Sequence, residues 1–396
     1  MRQHSGPDMT CTMAMGADGS LGDGSADLEG CLPHETAELD GHVAEDRRRG
    51  RGARSNRVGR YEAEARLEID DGWDSLADLG PWRTDVRAEQ AKSIISTNDS
   101  PDLSFDQSIN PYRGCEHGCI YCYARPTHCY LGHSAGLDFE TKIYAKTNAA
   151  EVLARELAHP RYIPKTIALG AVTDPYQPVE RTLGITRSIL EVLEATGHPV
   201  GIVTKSAGIL RDLDILGRMA ERRLVKVAIS VTTLDAALSR SMEPRAAAPL
   251  RRLKAIRRLA DAGIPVTVMM APIIPALNDS EIEAVLEAAK DAGASEAGYV
   301  LLRLPLELKE LFREWLETDH PHRSKRVISL LRSMHGGRDY VATFGIRQRG
   351  SGPYADQIAA RFHLARRRLG LDQRHLRLRT DLFHPGVPPG GQMQLL

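Results

Sequence analysis

The sequence predicts an α/β protein organised as an open, partial barrel of six strand–helix units, with a disordered N-terminal tail and a helical, basic C-terminal extension. Three observations lead there. Six short β-branched runs alternate with amphipathic stretches from about residue 105 onward. Six units are too few to close an eight-stranded barrel, and repeated strand–helix–strand crossovers imply parallel strands. The chain, 396 residues and 42% hydrophobic, is long enough to bury a substantial core.

In chain order, residues 1–46 contain ten acidic residues, one Arg and no apolar period, which predicts disorder. Residues 47–60 then hold seven arginines and no acid. This run reads as more solvated tail or as a nucleic-acid arm. The expected division is a tail over 1–60, a lead-in over 61–104, the barrel over 105–320 and the extension over 321–396. Strands are predicted at 106–110, 166–173, 200–205, 226–232, 265–271 and 298–304. One helix is predicted from Asn148, with Glu151 three residues on and Val152, Leu153 and Leu157 behind it. Another starts at Asn278, where Glu281 completes a capping-box spacing and Ile282, Val285, Leu286 and Ala289 share a face. Residues 361–379 carry seven arginines against Asp372, a charged outer helix face or a phosphate-contacting surface.

Lys+Arg 52 balance Asp+Glu 52, so any attraction to nucleic acid or anionic lipid must be local. The longest apolar stretch, 264–277, is 14 residues with three prolines, too short to span a bilayer. The N-terminus lacks the pattern of a signal peptide, and the expected location is the cytoplasm. Of six cysteines, Cys11 and Cys31 lie in the polar tail, while Cys115, Cys119, Cys122 and Cys129 fall within 15 residues. In a reducing compartment such clustering points to metal rather than to disulfides.

The sharpest feature is Cys115-Glu-His-Gly-Cys119-Ile-Tyr-Cys122, a C-x3-C-x2-C spacing just after the first strand. Three thiolates on one loop can ligate three irons of a [4Fe–4S] cluster and leave the fourth iron open. The competing reading is a structural zinc site, with Cys129, His117, His128 or His133 as the fourth ligand. That reading gives a non-catalytic, zinc- or cluster-stabilised nucleic-acid-binding protein. The spacing is unusual for a zinc half-site and lacks a distant paired C-x2-C, which favours the cluster.

The run Ser108-Ile-Asn-Pro-Tyr-Arg-Gly-Cys115-Glu-His-Gly-Cys119-Ile-Tyr-Cys122-Tyr-Ala-Arg-Pro126 resembles the signature of radical S-adenosylmethionine (SAM) enzymes. More narrowly, it resembles the branch grouped with spore photoproduct lyase. The likeness continues through Gly136-Leu-Asp-Phe-Glu-Thr141, Thr173-Asp-Pro-Tyr-Gln-Pro-Val-Glu180, Ile202-Val-Thr-Lys-Ser206 and Met242-Glu-Pro-Arg-Ala246.

The resemblance implies a TIM-like partial (β/α)6 radical SAM barrel holding a [4Fe–4S] cluster on Cys115, Cys119 and Cys122. SAM would bind the open iron through its amine and carboxylate, and its reductive cleavage would yield a 5′-deoxyadenosyl radical for hydrogen abstraction. Tyr121 matches the position beside the adenine, or simply packs the loop. Thr173 and Asp174 stand where the superfamily usually has Gly-Gly-Glu and would accept from SAM's amino group. Lys205 would meet the SAM carboxylate, Ser230 the ribose, and Asn278 either SAM or its own helix end. Glu243 and Arg245 read as an ion pair or as substrate contacts. The resemblance also implies a one-electron reductant such as flavodoxin or ferredoxin, and lyase-like or modification chemistry. Nucleic acid is the leading substrate class, with peptide or metabolite open. One departure stands out. The lyase carries a hydrogen-donating cysteine at the end of its second strand, whereas this chain has Gly170-Ala171-Val172 there.

Overall fold

The computed structural model describes residues 41–62, 80–372 and 376–386. The strands are β1 Asp85–Glu89, β2 Ile95–Thr97, β3 Gln107–Ile109, β4 Tyr112–Arg113 and β5 Lys142–Lys146, followed by β6 Ile167–Leu169, β7 Val200–Thr204, β8 Val225–Ser230, β9 Val266–Ile273 and β10 Glu296–Leu301. The helices begin with α1 Leu137–Thr141, α2 Ala149–Leu157, α3 Glu180–Leu183, α4 Ile185–Ala195 and α5 Leu213–Glu221. They continue with α6 Ala236–Met242, α7 Pro249–Asp261, α8 Ile282–Asp291, α9 Leu308–Asp319, α10 Pro321–Ser333 and α11 Pro353–Arg368.

The main sheet runs β10-β9-β8-β7-β6-β3-β2, and all neighbours are parallel except the antiparallel edge pair β2–β3. Its six parallel strands fall on the six predicted runs. The outer face is buried against the helices, whereas the inner face stays partly open: every residue of β6 is buried, as are Val225, Val227 and Ile229 of β8, but Lys226 and Ala228 between them are half-buried. The helices lay apolar stripes on the outer face, such as Ile185, Ile189, Leu190 and Leu193 of α4 and Ile282, Val285, Leu286 and Ala289 of α8. A second sheet, β1-β5-β4, was not foreseen; β1 precedes the barrel strands, while β4 and β5 are inserted between β3 and β6 and carry the chain out around the cysteine loop.

The barrel stays open between β10 and β2, and the C-terminal extension covers that side. Leu301 N donates to Gln348 O at 2.9 Å and Ala297 N to Leu371 O at 3.2 Å, so irregular chain rather than a further strand satisfies the β10 edge. Arg347 reaches across to Asp102, Nε to Oδ2 at 2.7 Å. Among the arginines of the 361–379 run, Arg361 binds Glu283 at 2.6 Å and Arg368 binds Glu287, which fastens α11 to α8. Those two lie on a helix face paired with the barrel.

Two expectations change. Residues 1–40 lie outside the described residues, but 41–60 are packed on the barrel instead of trailing from it, with Ala53 and Ser55 fully buried. Neither expected asparagine cap forms. Asn148 binds the Ala91 backbone, accepting at 2.8 Å and donating at 3.0 Å. Asn278 accepts from Ile274 N at 2.6 Å and donates to Thr232 O and Pro272 O at 2.8 and 3.1 Å. Each side chain makes more long-range bonds as a tie between segments than a cap would provide. Among the described residues no helix is long and apolar enough to cross a membrane.

Candidate active site

The cysteine loop, 114–122, leaves β4 at the C-terminal ends of the barrel strands. Gly114 and Gly118 take φ of +76° and +66°, which L side chains resist. The loop is held from every side. Cys115 N donates to Phe139 O at 2.9 Å and Ile120 N to Met242 O at 2.9 Å. Gln177 accepts from Glu116 N at 2.9 Å and donates to Gly114 O at 3.2 Å. Glu116 accepts from Val179 N at 2.7 Å and Thr84 Oγ1 at 2.9 Å, and meets Arg245 at 3.1 Å.

Arg125 and Glu140 lie beneath the loop, both side chains fully buried and paired. Arg125 donates to Cys119 O at 2.9 Å, Gly118 O and Ala135 O at 3.1 Å and Gly136 O at 3.0 Å. Glu140 also accepts from Gly52 N at 2.9 Å and Ala53 N at 2.8 Å. The arginine-rich segment is thereby clasped to the cysteine loop, backbone against backbone: a Cβ on Gly52 would lie 1.8 Å from Gly118 O. The segment continues to α9, where Arg54 meets Asp319, Ser55 Oγ donates to Glu314 at 2.7 Å, and Arg60 meets Glu307.

Cys115, Cys119 and Cys122 are free thiols, the first two buried and the third half-buried. Burial pushes all three up, Cys119 to about 12, although Lys205 pulls the other way on Cys119 and Cys122. Three soft donors held so close that their charges interact suit a cation that takes them as thiolates. Cys129 stands apart, fully buried under Gly59 with Arg60 and Glu307 around it. It belongs to neither the cysteine loop nor the end of β6.

Beside the thiols the structure brings together Tyr121, Lys205 and Ser230. Lys205 Nζ lies 5.6 Å from the Tyr121 ring centroid and donates to Ser230 Oγ at 3.2 Å. Burial keeps the Tyr121 phenol protonated, and its hydroxyl donates to Glu243, which also accepts from Arg252. Burial pushes the Glu243 carboxyl up, but Arg252 and Lys205 outweigh it and hold the group below its usual range. Glu243 and Arg245, the pair the sequence left open, do not bind each other; Arg245 reaches Glu116.

Thr173, Asp174 and Asn278 are engaged within the frame. Thr173 Oγ1 donates to Tyr112 O at 2.9 Å. Asp174 accepts from Tyr176 N at 2.9 Å, Thr204 Oγ1 at 2.7 Å and Lys205 N at 2.7 Å, and lies 3.3 Å from His117. Burial opposes its ionisation, but His117 and these donors bring it down to about 2. The sequence reading missed Arg125, Glu140 and Gln177 as parts of the site. All three sit inside the motif segments that carry the family likeness, and that was the available signal.

Residues 109–289 match the radical SAM superfamily. An uncharacterised protein of Mycobacterium bovis is 38% identical over 280 residues, 67% of this chain and 82% of that protein. This chain belongs to the radical SAM superfamily. An uncharacterised protein of Methanocaldococcus jannaschii is 26% identical over 240 residues, covering 61% of this chain and 85% of its own length. The radical SAM fold is also shared with solved structures of spore photoproduct lyase. A tyrosine-to-phenylalanine mutant of that lyase aligns with a TM-score of 0.52 at 16% identity, covering 72% of this chain and 80% of that one. A complex with dinucleoside spore photoproduct gives 0.50 at 16% identity, over 72% and 79%. Superfamily membership implies a [4Fe–4S] cluster and SAM.

Proposed function

We propose that this radical SAM protein is an enzyme that holds its cluster on Cys115, Cys119 and Cys122 and SAM beside Tyr121, Lys205 and Ser230, and that its substrate is a nucleic acid. The observation that carries the reading is the juxtaposition itself: three free thiols on one braced loop, next to a half-buried ammonium flanked by an aromatic ring and a hydroxyl. When bound, the cluster supplies the electron that splits SAM into methionine and a 5′-deoxyadenosyl radical able to take hydrogen from a substrate carbon.

The chain's own residues do the positioning. Lys205 presents a cation for a carboxylate, and Ser230 a hydroxyl beside it. Tyr121 keeps its proton on the oxygen aimed at Glu243, which fixes the ring face. Asp174 orients the Lys205 backbone and His117 together, as a positioning residue. Burial of the loop and its cradle excludes water. The nucleic-acid class is supported by the fold shared with a lyase solved with a dinucleoside lesion. The absence of a thiol at Gly170-Ala171-Val172 argues for a different hydrogen-transfer outcome from that lyase's.

Anaerobic reconstitution with iron and sulfide tests the reading. Alanine at Cys115, Cys119 or Cys122 should abolish the brown colour and the formation of 5′-deoxyadenosine on reduction, whereas Cys129→Ala should keep both. A colourless wild-type protein retaining stoichiometric zinc would replace the enzyme with a metal-stabilised binding protein.

A further inference from the structure

The outer wall of the barrel is mostly charge-matched from helix to helix. Arg187 of α4 meets Asp214 of α5 at 2.8 Å, Arg218 of α5 meets Glu194 of α4 at 2.5 Å, and Arg361 of α11 meets Glu283 of α8 at 2.6 Å. Helix α7, whose sequence is PLRRLKAIRRLAD, breaks the pattern with five cations and a single acid at its last position. Arg252 is accounted for: it turns inward, donating to Ala247 O at 2.6 Å and Ser230 O at 3.1 Å and pairing with Glu243. Arg257 donates to Asp291 O. Arg251, Lys254 and Arg258 are exposed, and among the described residues no side chain binds them.

Their placement is poor for the helix. The N-terminal turn carries the positive end of the macrodipole and favours acids. α2, α5, α8, α9 and α11 each place one there, whereas α7, like α4, α6 and α10, has none, and it carries Arg251 and Arg252 instead. Arg251 therefore does not serve helix stability. With 100° and 1.5 Å per residue, Arg251, Lys254 and Arg258 fall within roughly 60° of arc and about 10 Å of axis, a single stripe. The helix also starts next to the site: the 243–248 turn links Glu243, bound to Tyr121, to its first residue, Pro249.

We infer that the Arg251–Lys254–Arg258 stripe of α7 is the surface that holds the phosphate backbone of a nucleic acid while its target nucleotide enters the barrel mouth. This rests on the nucleic-acid reading above and assigns the charge to the barrel wall, away from the arginine-rich segment at 47–60.

The test is fluorescence anisotropy of reconstituted protein with a labelled DNA duplex across a salt series. The triple reversal R251E/K254E/R258E is compared with R323E/K325E/R326E on α10, an equally exposed run of cations in the extension that packs on α9. The two variants change net charge equally. The α7 variant should bind at least tenfold more weakly at low salt and lower the log–log salt slope by roughly 0.9 per lost contact. The α10 variant should stay within threefold of wild type. SAM cleavage without substrate, driven by a chemical reductant, should be unchanged in both and shows that they are folded. Equal losses in the two variants would reduce the effect to bulk charge and overturn the inference. So would an α7 variant that binds DNA normally but accepts electrons more slowly from an acidic protein reductant. Wild-type protein that cleaves SAM yet binds no DNA at any salt would instead overturn the substrate class.

Discussion

Two stretches of this chain look alike on paper and behave oppositely in the fold. Residues 47–60 carry seven arginines without an acid, and α7 carries five cations with one. In the first, Arg51 donates to Glu140 O at 3.0 Å, Arg54 and Arg60 pair with Asp319 and Glu307, and Gly52 presses on Gly118. In the second, three cations face water, unpaired among the described residues. Charge density in a sequence thus says little about availability. What decides is whether the neighbouring elements supply acids, and the α9 region supplies four to the first stretch: Glu310, Glu314 and Asp319, with Glu307 just ahead of the helix.

The largest effect should come from the junction that anchors the first stretch. Glu140→Ala leaves Arg125 buried without its counter-charge and frees Gly52 N and Ala53 N. Breaking a buried pair from one side costs about 3–5 kcal/mol. Urea unfolding should show that loss, and iron content after reconstitution should fall with it, because Arg125 also holds Gly118 O and Cys119 O. The triple reversal on α7 should leave both measurements unchanged. A Glu140→Ala protein with wild-type stability would mean that the segment is a loose tail after all.

A second difference is titration. His128 lies in a pocket with His133, Phe139 and Tyr144, close to Asp138, which Asn56 of the arginine-rich segment binds at 3.2 Å. Burial above all, then the charges of His133 and Lys142, bring its pKa from 6.5 down to about 4 against a partial pull from Asp138. The unfolded chain therefore takes up a proton near pH 6.5 that the folded chain resists until about 4. Stability is full above pH 6.5 and should drain as pH falls toward 4, by on the order of 3 kcal/mol at most. Urea midpoints at pH 7.5, 6 and 5 should fall in wild type and flatten in His128→Gln. A parallel decline in the two proteins would assign the acid sensitivity elsewhere.

Much of the frame was legible in the sequence, and the reason is local. β-Branched runs and the 3.6-residue stripes of α2 and α8 need no distant partner to be recognised, so all six parallel strands fall within or across the predicted runs. The cysteine spacing likewise carries its chemistry within eight residues. What stayed hidden depends on contacts that only the fold creates. Gly52 looks like a flexible tail residue until Gly118 O sits where its side chain would be. Asn148 and Asn278 had the spacing of caps, but each meets a backbone segment that local pattern does not reveal. Glu243 and Arg245 were adjacent enough to suggest a mutual pair, yet each turns to a different partner across the loop. Thr173 and Asp174 carry the right chemistry for an ammonium ligand, and the fold also ties both to neighbouring chain, Thr173 to Tyr112 and Asp174 to the end of β7, which no local pattern announces.

The smallest effect is the most discriminating, because the two stretches should respond with opposite sign. Arg54 is a mostly buried partner of Asp319, so Arg54→Ala should lower stability by about 1 kcal/mol, the upper end for a pair that still touches solvent. Arg251 occupies the third position of α7, where a cation opposes the exposed N–H groups of the first turn. Arg251→Glu should therefore raise stability by roughly 0.3–1 kcal/mol, and the gain should shrink with added salt, since the interaction is exposed and screened. Urea midpoints at low and high salt, with unchanged slopes, measure both. A protein that keeps a destabilising arginine on its surface has some other use for the charge. If Arg251→Glu instead destabilised the fold, Arg251 would have a stabilising partner, and the contrast between the two arginine-rich stretches would collapse into one rule: all of these cations hold the protein together.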